Sequence, residues 1–353
     1  MKQPYTIILF ILFILLQFPF ILGVFGDNTF YGGLWDAIGF VIVYVLSLFF
    51  YLMTFARAKN SSNKFFIYKL IWLQEIFIIA GILGSIIGFV FFLAASKTEM
   101  HPSLDPFAML VSNLAIIMIT ILYGFMGALS LYLIQKFHEM KSVIIENHEI
   151  AKPKEGFYFS SLVYFILNII SLAFTIYICI DLAGGANFLV SMNQAIFGVV
   201  ILILLIMFYR GNSFVGLIKN LFWYIPDTKD NIVYNLKYIR EMKKIMAMFI
   251  VVSLLCAPIV MMALLGMPPT DTVTVNLFGI PFDSLINGGL QFILVICIIL
   301  LLNVIEGKEA TKLYYETGKI SAGDRFYSLK YIMVPTFLLI FTFTFAMIIS
   351  IIF

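Results

Sequence analysis

The sequence predicts an all-α fold, a polytopic bundle of membrane helices, and three observations carry that expectation. Of the 353 residues, 62% are hydrophobic and only 12% are charged, with a mean hydropathy of +1.05, whereas soluble domains carry about 25% charged residues. Apolar stretches matching the roughly 20 residues of a bilayer crossing recur along the whole chain. Finally, the basic residues gather in alternate segments between those stretches, which is the pattern that sets membrane orientation.

Nine stretches qualify as transmembrane helices: 5–24, 37–56, 70–95, 107–135, 158–180, 190–209, 245–267, 284–305 and 331–352. With the N-terminus inside, the inner segments hold Lys2, the groups Arg57–Lys69, Lys136–Lys154 and Arg210–Lys244, and the group Lys308–Lys330. Of 22 basic residues only Lys97 is left outside. The expected topology is therefore N-terminus inside and C-terminus outside. Outer segments are short and weakly acidic, with Asp27, Asp36, Glu99, Asp105, Asp181 and Asp271.

The first stretch follows Lys2 and has the outline of a signal peptide. Its apolar run is longer than a signal core and no small-x-small site leads into a soluble domain, so it is read as a retained helix. Asn60-Ser61-Ser62 is formally a glycosylation sequon, which this topology leaves cytoplasmic and unused.

The third stretch reads Gly81-Ile-Leu-Gly84-Ser85-Ile-Ile-Gly88, which sets small side chains at i, i+3, i+4 and i+7 on one helical face. Such a face lets another backbone approach closely, the usual device for packing helices in lipid. In the fourth stretch Asn113, Thr120, Gly124 and Ala128 also share a face. Two polar-and-small stripes on successive antiparallel helices can line a narrow wet path. Gly81, Gly84, Ser85, Gly88, Asn113, Thr120, Gly124 and Ala128 are therefore the candidate pore-facing or partner-facing residues. Glu75, near the cytoplasmic start of the third stretch, is a candidate guard of the inner mouth; the plainer reading is an interfacial carboxylate facing headgroups or lysines.

Gly81-x-x-Gly84-Ser85-x-x-Gly88, followed by Ile119-Thr120-Ile-Leu-Tyr123-Gly124, resembles the MotA/TolQ/ExbB proton-channel family. That family shows a Gly-Leu-x-Gly-Thr-x-x-Gly segment in its third helix and a Thr-Thr-x-x-Gly-like segment in its fourth. Here Ser85 stands where the family usually has threonine, and Ile119 replaces the first of the paired threonines. No helix-start proline lies at the family's usual distance before Thr120, and residues 57–69 form only a short loop where the family has a large cytoplasmic extension. The resemblance implies a homo-oligomeric ring in a bacterial inner membrane. It also implies a single-span partner whose intramembrane aspartate carries the ion, with Ser85 and Thr120 facing it.

Internal repetition extends the argument. A shift of 175 pairs Lys69 with Lys244, Pro106 with Pro281 and Phe107 with Phe282, and a shift of 158 pairs Ala37-Ile38 with Ala195-Ile196. The expected organisation is two parallel four-helix units, 1–150 and 155–310, followed by a connector and ninth helix, 311–353. In that register Gly81, Gly84, Ser85 and Gly88 become Cys256, Ile259, Val260 and Ala263, and Thr120 and Gly124 become Val295 and Ile299. The second unit then reads as a tandem copy whose channel-like face has degenerated. Pro258 is expected to kink its helix.

The remaining polar residues of the spans, Gln17, Ser47, Asn168, Ser171, Gln194, Asn287, Gln291 and Asn303, read as interhelical hydrogen-bonding glue. Residues 136–157 are expected to form a short amphipathic helix on the membrane surface, and 306–330 a solvated connector. Cys179, Cys256 and Cys297 lie in apolar stretches and read as buried thiols, and His101, His138 and His148 have no zinc spacing. No cofactor, metal, nucleic-acid surface or enzymatic constellation is expected. Three functions stay open: a proton-channel-type subunit, a secondary transporter or permease built on the two units, and a membrane scaffold. The topology has a direct check: a membrane-impermeant thiol reagent added outside is expected to label Met100→Cys but not Asp230→Cys on a cysteine-free background, and the reverse pattern refutes it.

Overall fold

A computed structural model describes residues 37–55, 58, 63–98, 106–141, 156–157, 159–182, 220–265, 271–318, 329 and 332–342. These are almost entirely helical. Helix α1 runs through Ala37–Phe40, a π turn at Val41–Val45, and Leu46–Phe55. It is followed by α2 (Asn63–Thr98), α3 (Pro106–Lys141), α4 (Phe159–Leu182), α5 (Lys229–Leu265), α6 (Asp271–Thr317) and α7 (Ile332–Thr342). A short antiparallel ribbon pairs β1 (Gly156–Phe157) with β2 (Trp223–Tyr224).

The helix ends follow local chemistry. Pro106 opens α3, where a missing N–H and a fixed φ are no handicap. Ahead of α5, the Asp227 carboxylate accepts the Thr228 N–H at 2.8 Å and the Asn231 amide at 2.9 Å, and Asp230 in the first turn suits the helix dipole. Helix α6 stops at Gly318, whose φ of 67° lets its N–H turn back to the Tyr314 carbonyl at 2.8 Å.

Six expected spans coincide with α1 to α6, and α7 occupies the start of the last; 5–24 and 190–209 lie outside the described residues. Among the described residues, four helices are long and apolar enough to cross a membrane, within α1, α2, α3 and α6. The chain is a helical membrane protein. One cluster of buried side chains unites both expected units: Ile76, Ile79, Leu83 and Val90 of α2 pack in it with Phe292, Val295, Ile296 and Ile299 of α6. Helix α2 also packs on α3, α5 on α6, and α1 on α4 and α6.

Several helices are longer than a bilayer needs. At 1.5 Å per residue the 47 residues of α6 extend about 70 Å, against a hydrocarbon core of about 30 Å. The excess corrects two expectations. Residues 306–317 are not a solvated connector but the continuation of α6, with Glu309 fully buried and Tyr314 and Tyr315 nearly so. Residues 136–141 continue α3, and Gly156–Phe157 form β1, so 136–157 is not a single surface helix. No proline lies between Glu306 and Thr317 or between Lys136 and Lys141, and the one glycine, Gly307, packs its bare backbone against Thr54 and Trp72 within the helix.

Because α5 and α6 are antiparallel neighbours, the charged start of one lies beside the charged end of the other. Lys243, fully buried, donates to the Asn303 side-chain oxygen and to the Glu306 carboxylate, which Arg240 also engages at 2.9 Å. Lys312 bonds Asn220 and, at 3.0 Å, Glu309. Lys308 reaches the Leu221 carbonyl and, at 3.4 Å, the Ser161 hydroxyl, tying α4 to this layer. From α2, Lys69 donates to the Ala58 carbonyl at 2.6 Å and sits 4.8 Å from the Phe65 ring centre. Breaking one half of such a buried pair costs about 3–5 kcal/mol, because the other charge stays buried. Lys243→Met is accordingly expected to lower the melting temperature of the purified protein sharply, and Lys243→Met with Glu306→Gln to recover part of the loss. Equal melting of the single and double variants would refute the pairing.

Candidate functional site

The two stripes meet where α2 crosses α3. A Cβ added at Gly81 would lie 2.8 Å from the Thr120 carbonyl and 3.1 Å from the Gly124 Cα, and one added at Gly124 would lie 2.8 Å from the Phe77 carbonyl. The backbones are in contact, with no side chain between them at this point. Gly84 faces the Thr120 side chain, where an added Cβ would come within 3.2 Å.

The hydroxyls lie in the same crossing. Ser85 Oγ and Thr120 Oγ1 are 2.6 Å apart, and Ser85 also donates to the Gly81 carbonyl at 3.0 Å. Either hydroxyl can be the donor between the two. Both residues are buried, 5% and 4% exposed. Ala128 is buried, Gly88 is half-buried, and Asn113 lies within α3 with its side chain outside the described residues. The structure thus brings together Gly81, Gly84, Ser85, Thr120 and Gly124.

Aromatic rings close the surroundings of the crossing. Tyr123, fully buried, meets Phe40 and Tyr44 of α1 edge-on at 6.5 and 6.3 Å, and Tyr44 meets Phe77 at 5.3 Å. Gly127 belongs to the same contact: a Cβ there would fall 2.3 Å from the Phe77 ring. Sequence reasoning passed over it, although Gly124-x-x-Gly127 continues the small-residue spacing of α3. It also passed over Gln74 and Gln135, whose side-chain amides bond across α2 and α3 at 2.8 Å. Their only signal was two amides inside apolar stretches.

Other candidates sit elsewhere. The Glu75 carboxylate accepts the Leu329 N–H at 3.0 Å, fastening the approach to α7. Asn303 acts as glue twice, through its side chain to Lys243 and through its carbonyl to Trp72 Nε1 at 3.1 Å. At the positions that the expected repeat aligns with Thr120 and Gly124, Val295 and Ile299 are fully buried, while the side chains of Cys256, Ile259, Val260 and Ala263 lie outside the described residues. Among the described residues no cluster of His, Cys, Asp or Glu is arranged to hold a metal ion.

Fold and site together define a polytopic helical membrane protein with a hydroxyl-bearing, glycine-mediated helix crossing. Comparison with protein-family models, with curated proteins and with solved structures finds no match. The crossing yields a graded prediction. Gly81→Ala sets a methyl against backbone and is expected to destabilise by about 1–3 kcal/mol. Gly84→Ala meets side-chain atoms at 3.2 Å rather than a backbone carbonyl at 2.8 Å, and its melting temperature should fall less. A larger loss for Gly84→Ala would mean that the crossing is not the tighter contact.

Proposed function

We propose that this protein is a membrane ion-channel subunit of the proton-channel type, assembled as a homo-oligomer in a bacterial inner membrane, N-terminus inside and C-terminus outside. One observation carries the reading: the two motif-like stripes, 81–88 and 120–124, meet in a single crossing in which Ser85 and Thr120 share a hydrogen bond.

The chemistry then specifies what is missing. A proton crossing lipid needs a group that accepts and releases it, and hydroxyls alone do this poorly. Between Ile76 and Ala95, and again between Phe107 and Gln135, the sequence has no ionisable carboxylate, amine or imidazole. The carrier must come from outside these two helices. A single-span partner with an intramembrane aspartate fills that role, its carboxylate approaching from the half-buried Gly88 end of the stripe and one hydroxyl of the Ser85–Thr120 pair turning its proton from its present acceptor to the carboxylate.

A second reading is a permease, for which Lys243, Glu306, Lys308, Glu309 and Lys312 supply a charged cluster on α5 and α6, buried except for the partly exposed Glu306. A non-conducting scaffold would use the same crossing purely for packing. Flux separates them. Ser85→Ala with Thr120→Val removes both partners of one bond at nearly constant shape, a change close to neutral for stability. In vesicles holding the subunit and its partner, the double variant is expected to lose proton flux at least about tenfold while its abundance stays near wild type. Unchanged flux removes the pair from the path; flux that persists without the partner but falls in Glu309→Gln favours the permease.

A further inference from the structure

A cavity of about 140 Å³ lies at the junction of α1, α2, α4 and α6. Leu46 and Phe50 of α1, Leu83 of α2 and Cys297 of α6 form apolar walls, and Asn168 of α4 is its one strongly polar side chain. Asn168 is 5% exposed. Its amide nitrogen donates to the Tyr164 carbonyl at 3.0 Å, and its oxygen is buried without a hydrogen bond. A buried acceptor left unpaired is costly, so this position asks for a donor.

Water does not suit the space. An ordered water needs two to four polar partners, and this lining offers one acceptor. An apolar molecule does suit it: an engineered cavity of about 150 Å³ admits benzene, so there is room for a short chain segment or a small ring. A charged molecule is excluded by the absence of a charged lining group. Ile169, which also lines the cavity, is 52% exposed beside Ile166 and Ile170, so the mouth opens on an apolar face that lipid chains would cover.

We propose that this cavity binds a slender, uncharged apolar chain bearing one hydroxyl, entering from the bilayer and donating its hydroxyl hydrogen to Asn168 Oδ1. Two sources share that chemistry, a free long-chain alcohol and the glycerol hydroxyl end of a diacylglycerol. The site is separate from the Ser85–Thr120 crossing and does not depend on ion conduction.

Cys297, a free thiol in the cavity wall, reports occupancy. In the full-length protein carrying Cys179→Ala and Cys256→Ala, reconstituted in lipid, N-ethylmaleimide modification of Cys297 is followed with 1-octanol, octane or dioctanoylglycerol. Octanol is expected to slow modification about fivefold more than octane at equal membrane content, the scale of one hydrogen bond. Asn168→Leu should erase that preference, and Leu83→Phe, which fills the cavity, should erase protection by both. Protection by dioctanoylglycerol at lower content than octanol assigns the lipid source; stronger protection by octanol assigns the free alcohol. Equal protection by octanol and octane overturns the proposal, as does an octanol preference that survives Asn168→Leu. Where Cys297 is unreactive without additives, as thiols sunk in apolar surroundings are, a Leu301→Cys reporter on the half-buried wall of the same cavity replaces it and the same comparisons decide. The same slowing at a lipid-facing Ile170→Cys reporter would mark a bulk membrane effect and also overturn it.

Discussion

The contact on which this structure depends is a meeting of two backbones. At Gly81 and Gly124 nothing larger than hydrogen separates α2 from α3. In lipid there is little hydrophobic gain from bringing two apolar helices together, so close packing and hydrogen bonds must hold them. The glycines supply the first and Ser85 with Thr120 supplies the second, at the same level. That closeness fixes α3 on α2, and α2 in turn carries the contact with α6 that joins the two halves of the chain.

Where the start of α5 lies beside the end of α6, the physical problem changes from packing to charge. Helices that outrun the hydrocarbon core carry lysines and glutamates into one another's reach, and the side chains pair rather than point away. Lys243 between Asn303 and Glu306, and Lys312 between Asn220 and Glu309, form a polar layer drawn from α5, α6 and the segment before β2. Aromatic residues pack beside it, among them Phe65 stacked on Tyr314 with ring centres 4.6 Å apart.

Hydrophobic length and small-residue spacing made much of this legible in the sequence. The span positions of α1 to α6 follow from apolar runs, and the faces that Ser85 shares with Gly81 and Thr120 with Gly124 follow from a period of 3.6 on each helix. The burial of 306–315 was not legible, because a Lys–Glu alternation reads as solvated until the antiparallel neighbour that matches its charges is known. Gln74 with Gln135 escaped for the same reason: a hydrogen bond between helices depends on their vertical offset, which periodicity leaves undetermined. Glu75 illustrates a third limit, since its partner is a backbone N–H 254 residues away and no side-chain pattern announces it.

The π turn at Val41–Val45 gives α1 a property of its own. Where the Leu46 N–H reaches back to the Val41 carbonyl, the helix holds one residue more than a regular turn, and every residue beyond it is rotated by about 100° relative to a straight continuation. The first half therefore gives Phe40 and Tyr44 to the α2–α3 crossing, while the second turns Leu46 and Phe50 toward α4 and α6. One rod serves two neighbourhoods by a change of azimuth rather than by a bend. A single inserted residue thus decides which neighbours each half of the helix meets, a division of labour that neither a proline nor a glycine in this helix provides.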